Sequence, residues 1–294
     1  MIAEALSYPF FQRALFAGLL AALACGVIGT FVVVRGIASI SGGIAHAAFG
    51  GVGLGYLAGF DPILGALAFG LASALGVGVA ELRLRQGIDT LVAMVWAVGM
   101  AVGIILISLA PGPAPDLLGY LFGNILFVPP DFLWFIAGLD VLIGVVVLVL
   151  FRRLEAVAFD EEFAWVIGMP VAALSLLLLA LVAVTVVILI RVVGVILVIA
   201  LLTMPAATAR HWTDALAPMM GLATGIGAAS IAAGLFLTWG VNAGLRIDVP
   251  TGPAIILLAA LVYGLSAVVR RLRPRRRSAV TGRGPGGGSP SVRA

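Results

Sequence analysis

The stretch VAALSLLLLALVAVTVVILI, Val171 to Ile190, holds no charged residue and no proline. As a helix rising 1.5 Å per residue it reaches about 30 Å, the thickness of a bilayer's hydrocarbon core. The same kind of run recurs along nearly the whole chain, so this stretch is one of a set. The predicted spans are 10 to 34, 37 to 59, 62 to 80, 91 to 110, 131 to 151, 171 to 190, 192 to 210, 216 to 239 and 252 to 269. With 63% hydrophobic and 10% charged residues among 294, the chain has too little polar surface to cover a soluble globule. Its mean hydropathy of +1.23 agrees. The fold class is all-α, a polytopic transmembrane bundle of about eight to nine spans in a multi-pass membrane protein.

Two segments qualify this reading. The second span is rich in glycine, which supports either a full crossing or a broken, re-entrant helix lined by protein. In the second case the chain has eight spans and its N-terminus changes side. LLGYLFGNILFV, Leu117 to Val128, is apolar but too short to cross, so it is expected to dip in or lie along the surface. Glu4 precedes a full-length apolar run, with no basic start or small-residue cleavage site, so no cleavable signal peptide is expected.

All 17 basic residues are arginines. In the nine-span arrangement 14 of them fall on one side, and only Arg13, Arg191 and Arg246 on the other. Without the C-terminal cluster the split is still 6 to 3. Cytoplasmic loops carry the excess of basic residues, which puts the C-terminus and the loops at 81 to 90, 152 to 170 and 210 to 215 in the cytoplasm. The expected division is a transmembrane domain over 1–272 and a basic, disordered tail over 273–294. The tail, rich in Arg, Gly, Pro and Ser, has almost nothing to bury, and its arginines suit anionic lipid head groups. They follow a span directly, so the pI of 10.0 is a topology signal and no nucleic-acid partner is expected.

The single cysteine, Cys25, excludes an intrachain disulfide and a cysteine-based metal cluster. No internal repeat is evident. A phosphate-binding G-x-x-x-x-G-K-[ST] loop needs lysine, and there is none. Active transport would draw on another subunit for nucleotide chemistry or on an ion gradient.

One cytoplasmic segment suits such a subunit. In AFDEEFAWVIGMP, Ala158 to Pro170, Asp160 is placed to cap a short helix, and Glu161 and Glu162 sit in its first turn. Gly168 and Pro170 end it. Phe159, Phe163 and Val166 or Ile167 make one face apolar. The helix lies on the membrane or docks on an ATPase, and spacing alone leaves both open.

The other informative stretch is SGGIAHAAFGG, Ser41 to Gly51, where one of only two histidines stands among small residues. Read alone, His46 is a neutral imidazole bonded to a nearby carbonyl. Ser39 or Ser41 near His46 is the nearest approach to a hydrolase pairing, but no G-x-S-x-G and no orienting acid accompany it. Asp140, near the middle of FLWFIAGLDVLIGVVVLVLF, is an acid at membrane depth: a pathway or proton site, or a protonated carboxyl bonded to a neighbour. Asp89 with Thr90 reads as a helix cap, Asp248 with Pro250 as an outer turn, His211 as an interface residue, and Met204 with Pro205 as a kink.

Taken in order, GTFVVVRGIASISGGIAHAAFGGVG from Gly29, IDTLVAM from Ile88, DLLGYLFGNILFV from Asp116, FDEEFAWVIGMP from Phe159, VVGVILVIALLTMPAATAR from Val192 and DVPTGPAIILLAALVYGLS from Asp248 resemble a known family. It is the membrane permease of ABC importers that take up zinc, manganese or iron(II). The resemblance implies a permease working by alternating access, with no resident cofactor and a transported divalent metal ion. Its partners would be cytoplasmic ATPases, an extracytoplasmic metal-binding protein and a second permease copy, identical or similar. It makes Asp160, Glu161, Glu162, Ala164 and Gly168 a coupling helix, and gives His46 a place on the metal pathway as a ligand. The family commonly has G-D-x-x-x-H here, whereas this chain has Gly42 at the acid's position. Asn124 likewise stands where the family often has an acid. Asp140 is the alternative carboxylate, outside any family motif. The competing readings are an ion-gradient-coupled carrier and a permease of this family with another cargo.

Overall fold

The computed structural model describes residues 2–84, 87–111, 117–123, 125–245, 247 and 249–272. Among them the chain forms α1 (Ile2–Ser7), α2 (Pro9–Val34), α3 (Ala38–Ala58), α4 (Pro62–Leu84), α5 (Ile88–Leu109) and α6 (Leu117–Phe122). A 3-10 turn at Ile125–Phe127 leads into α7 (Pro130–Phe159) and α8 (Glu161–Val166). The chain continues as α9 (Val171–Val193), α10 (Val195–Arg210), α11 (Leu216–Leu245) and α12 (Thr251–Leu272). Proline opens α2, α4 and α7, where its missing N–H costs nothing and its fixed φ suits the first turn. The expected tail, 273–294, lies outside the described residues, as do Asn124 and Asp248.

Contacts at the two ends of the bundle establish the path. At one end Arg35, after α2, pairs with Glu161 of α8, and Arg210 Nη1 donates to the Val33 carbonyl at 2.9 Å. At the other, the Arg191 guanidinium lies 5.0 Å over the Phe132 ring and Tyr8 packs on Trp239 with centroids 5.4 Å apart. The chain therefore runs end to end in each of nine helices: α2, α3, α4, α5, α7, α9, α10, α11 and α12. Seven of these are long and apolar enough to cross a membrane. The other two, α3 and α10, are the glycine-rich and the 16-residue helix, and both lie inside the bundle.

The doubtful second span is thus one unbroken helix, with no re-entrant break. The apolar segment at 117 to 128 does not cross; α6 and the turn after it pack on the ends of α2, α9 and α10. α7 and α11, with 30 residues each, outrun their predicted limits the furthest. Arg152 and Arg153 did not end α7, because a charged residue beyond the hydrocarbon costs a helix nothing. Pro205 sits inside α10 with the helix unbroken around it.

Packing divides the bundle. α3 lies between α4 and α5, while α2 packs on α11, α10 and α7. α9 joins the two groups, meeting α4 on one side and α7 on the other. In lipid such contacts are held by close van der Waals fit, because lipid is as apolar as the side chains.

Candidate functional site

α3 carries His46 and is held by the absence of side chains. A Cβ added at Gly51 would meet the backbone of Gly65 on α4, one at Gly53 the Gly103 carbonyl of α5, and one at Gly99 the Ala47 backbone. Main chains touch on both flanks, which only glycine permits. Between these contacts the half-buried His46 ring lies flat on Trp96 of α5, centroids 4.4 Å apart and planes 3° from parallel. Its Nδ1 is buried and has no hydrogen-bond partner. The carbonyl bond expected for a structural imidazole is therefore not made at Nδ1, and that nitrogen is an unused donor or lone pair at membrane depth.

One turn earlier, Gly42 has open space beside it: an added Cβ would meet only Ile199 Cδ1, at 3.7 Å. The two serines near His46 are committed elsewhere. Ser41 Oγ donates to the Ala38 carbonyl at 2.8 Å and Ser39 Oγ to Asp89 at 2.5 Å. Neither bond leads to the imidazole, which removes the geometry a nucleophile–base pair needs.

Asp140 lies on α7, which packs on α2 and α9, and it stands within electrostatic reach of Cys25 on α2. Both carboxylate oxygens are buried without a hydrogen-bond partner. His46 and Asp140 occupy separate helix interfaces, so within one chain the structure does not bring them together. Among the described residues no three His, Cys, Asp or Glu side chains converge into a metal-binding group.

α8 is built as its composition predicts. The Asp160 carboxylate accepts from the Phe163 N–H at 2.9 Å, and Glu161 and Glu162 lie in the first turn. The exit is a Schellman turn: Gly168 N–H donates to Trp165 and Met169 N–H to Ala164, with Gly168 at φ +82°. That left-handed position costs any residue with a Cβ about 1 kcal/mol, hence glycine. Ala164 is fully buried against the bundle, whereas Phe159, Phe163, Trp165 and Val166 all stand exposed. Trp165 and Val166, at 73% each, are among the most exposed large apolar residues of the chain.

Two features escaped sequence reasoning. Trp96 looked like any residue of a lipid-facing span; its role follows only from the α3–α5 packing. Arg35 was counted as a topology signal, yet its side chain is 12% exposed and bound to Glu161. Burial holds its guanidinium below the ordinary value, and Glu81 acts in the opposite sense. One expectation is corrected: Asp89 does not cap α5. Gly87 holds the cap position, because the helix starts at Ile88 and Asp89 falls in its first turn, accepting from Ser39. His211 Nδ1 shares a 2.9 Å bond with Ser266 Oγ, which also accepts from Trp212 Nε1 at 2.9 Å, tying α10 to α12.

Known proteins match this chain along nearly the whole bundle. The chain is 43% identical over 268 residues to an uncharacterized membrane protein of Synechocystis sp., covering 91% of this chain and 93% of that one. It is 33% identical over 263 residues to the manganese transport system membrane protein MntC of Halalkalibacterium halodurans, covering 90% and 88%. Among solved structures it matches PsaBC from Streptococcus pneumoniae in complex with Fab, with a TM-score of 0.78 and 32% identity over 90% of this chain and 95% of that one. The family match runs over residues 7–270, through all but the ends of this bundle, and by it the chain belongs to the ABC 3 transport family.

Proposed function

We propose that this chain is the membrane permease of an ABC importer that moves a divalent transition-metal ion by alternating access. The observation that carries the cargo is the buried, unpartnered His46 Nδ1 on α3, in a chain one third identical across nine tenths of its length to a manganese permease. A neutral imidazole is a good ligand for such ions, and the ion is cargo, passed on rather than kept. Trp96 holds the ring flat and leaves its edge to the ligand. One ligand binds weakly, which suits a step in a pathway.

The arginine-rich end is read as cytoplasmic, with 1–272 forming the permease domain of a cell-membrane protein and 273–294 a basic tail whose charge suits anionic lipid head groups. α8, with Asp160, Glu161, Glu162, Ala164 and Gly168, is the coupling helix. Its exposed Phe163 and Trp165 offer an ATPase groove an anchor, and burying each is worth about 1.5 to 3 kcal/mol. ATP hydrolysis belongs to that separate subunit. The opposite end receives the extracytoplasmic metal-binding protein, and a second permease copy covers the exposed face of α5 that bears Trp96.

Elemental analysis of depleted cells across Zn, Mn, Fe, Co and Ni tests the reading. The intact transporter should raise one metal selectively, and His46→Ala at matched expression should lower that uptake by about tenfold, the least expected for loss of a ligand. No change in any metal with a demonstrably active transporter would point to another cargo. Asp140, with its orphaned carboxylate, favours a second reading as an ion-coupled carrier. Uptake into vesicles containing the purified chain without any ATPase would establish that one instead.

A further inference from the structure

The caps of α8 hold it to the chain on either side, but they do not explain how its motion could reach α3. Its backbone packs chiefly on α7 and α9, its neighbours in sequence. Toward α4 it leaves an open cleft, lined by Leu82 on one side and Glu161, Glu162, Trp165 and Val166 on the other. One side chain bridges α8 to the far side. Arg35, extending from the end of α2, pairs with Glu161 of α8 and lies within electrostatic reach of Glu81 on α4. The main chain around it is hydrogen-bonded on two sides. The Arg35 N–H donates to the Phe31 carbonyl at 3.0 Å, and Arg210 at the end of α10 bonds the Val33 carbonyl.

Directly after Arg35 comes Gly36 at φ +70°, and two residues later α3 begins. That left-handed turn lets the chain double back with the Ile37 N–H bonded to the Val32 carbonyl at 3.0 Å. α3 is in turn locked to α4 and α5 by main-chain contact, so a force at the α4 end or at this turn moves the three helices together.

We infer that Arg35 is the positioning residue that couples α8 to the α3–α4–α5 unit, through its Glu161 pair on one side and Glu81 and the Gly36 turn on the other. This rests on reading α8 as the ATPase dock. Arg35 touches neither metal nor nucleotide; it transmits displacement. The guanidinium suits the task because its planar fork can hold two carboxylates from different helices at once, which an ammonium on a flexible stem does less well.

The test uses the complete transporter, permease with its ATPases and binding protein, in liposomes with Mn²⁺ as the probe. It reads ions moved per ATP hydrolysed. Arg35→Gln should lower that ratio by about fivefold or more, within the range for residues that carry coupling. Arg35→Lys should recover part of it, a rescue that a mere packing role would not give. Glu161→Gln, at an exposed position where folding is not at risk, should reproduce the loss. Arg35→Gln with Glu161→Gln together should be no worse than the poorer single change. An unchanged ratio in Arg35→Gln, or losses that multiply in the double variant, overturns the link. Docking is followed separately by cross-linking the ATPase to a Val166→Cys chain, since Cys25 is buried. If the otherwise unaltered chain gives no cross-link, the dock reading falls and takes the inference with it. A cross-link that forms while Arg35→Gln leaves the ratio unchanged sinks the inference alone.

Discussion

α3 and α8 are fastened by opposite means. α3 lies deep in the bundle and is fixed by what it lacks: glycines bring its backbone against α4 and α5 with no side chains between. α8 lies at the edge and is fixed by what it has: a carboxylate cap, a Schellman turn and an ion pair, with its apolar residues left uncovered. Lipid offers no hydrophobic gain for pressing helices together, so close fit is the means available to α3. At the membrane surface water competes for every polar group, so a six-residue helix needs its termini satisfied to persist. A helix seated without side chains moves only with its neighbours. A helix held by its ends can present a whole face to a partner.

The sharpest way to break this contrast is to put a side chain into the α3 seam. Gly51→Val would drive its Cβ into the Gly65 backbone, and overpacking of this kind costs about 1–3 kcal/mol, or more where a main chain must shift. We expect little folded protein by detergent size-exclusion. Gly76→Val, on α4 where an added Cβ meets nothing within 4 Å, is the control and should fold normally. Equal yields would show that α3 is not held by its glycines.

Gly42→Asp sharpens the same region chemically. Open space beside Gly42 should admit the carboxylate one turn from His46, completing a charged pair and tightening divalent-metal binding by about tenfold in equilibrium titration. Unchanged affinity would place the metal path away from this face.

α8 is tested at its ends. Asp160→Ala removes the cap and Gly168→Ala forces a Cβ into a left-handed turn, each costing about 1 kcal/mol of local helix stability. Amide exchange in 161–166 should quicken several-fold, and ions moved per ATP should fall, while the spans stay protected. Exchange as slow as in the unaltered chain would mean that something other than the caps holds α8.

The smallest effect concerns the His211–Ser266 tie. Burial, with Arg270 as second cause, holds His211 below its ordinary 6.5. The unfolded chain takes up the proton first on acidification, so this contribution is whole above pH 6.5 and is lost as pH falls through the lower folded value. Thermal stability of the purified chain should therefore drop on acidification below that point, and His211→Gln should flatten part of the slope. Identical slopes would assign the acid sensitivity to other groups.

The apolar runs were legible because crossing a bilayer demands length and hydropathy within one continuous segment, as at Val171 to Ile190. α8 was legible for a related reason: caps and first-turn acids act on their own helix. Trp96 and Arg35 were not. A tryptophan in a span and an arginine at its end are ordinary in sequence, and their partners lie 50 or more residues away along the chain. The second span was ambiguous because glycine, which weakens an isolated helix, is also what lets a packed one approach its neighbours.

The sequence by itself determined the medium, the all-helical class, the arginine asymmetry and the build of α8, since each follows from interactions within one segment or between a segment and its solvent. Only the tertiary structure decided that α3 is a continuous helix, that His46 rests on Trp96 with a nitrogen unpaired, that Asp140 lies at another interface, and that Arg35 reaches α8. These depend on which helices become neighbours, and that is settled by the fit of whole surfaces brought together from distant parts of the chain.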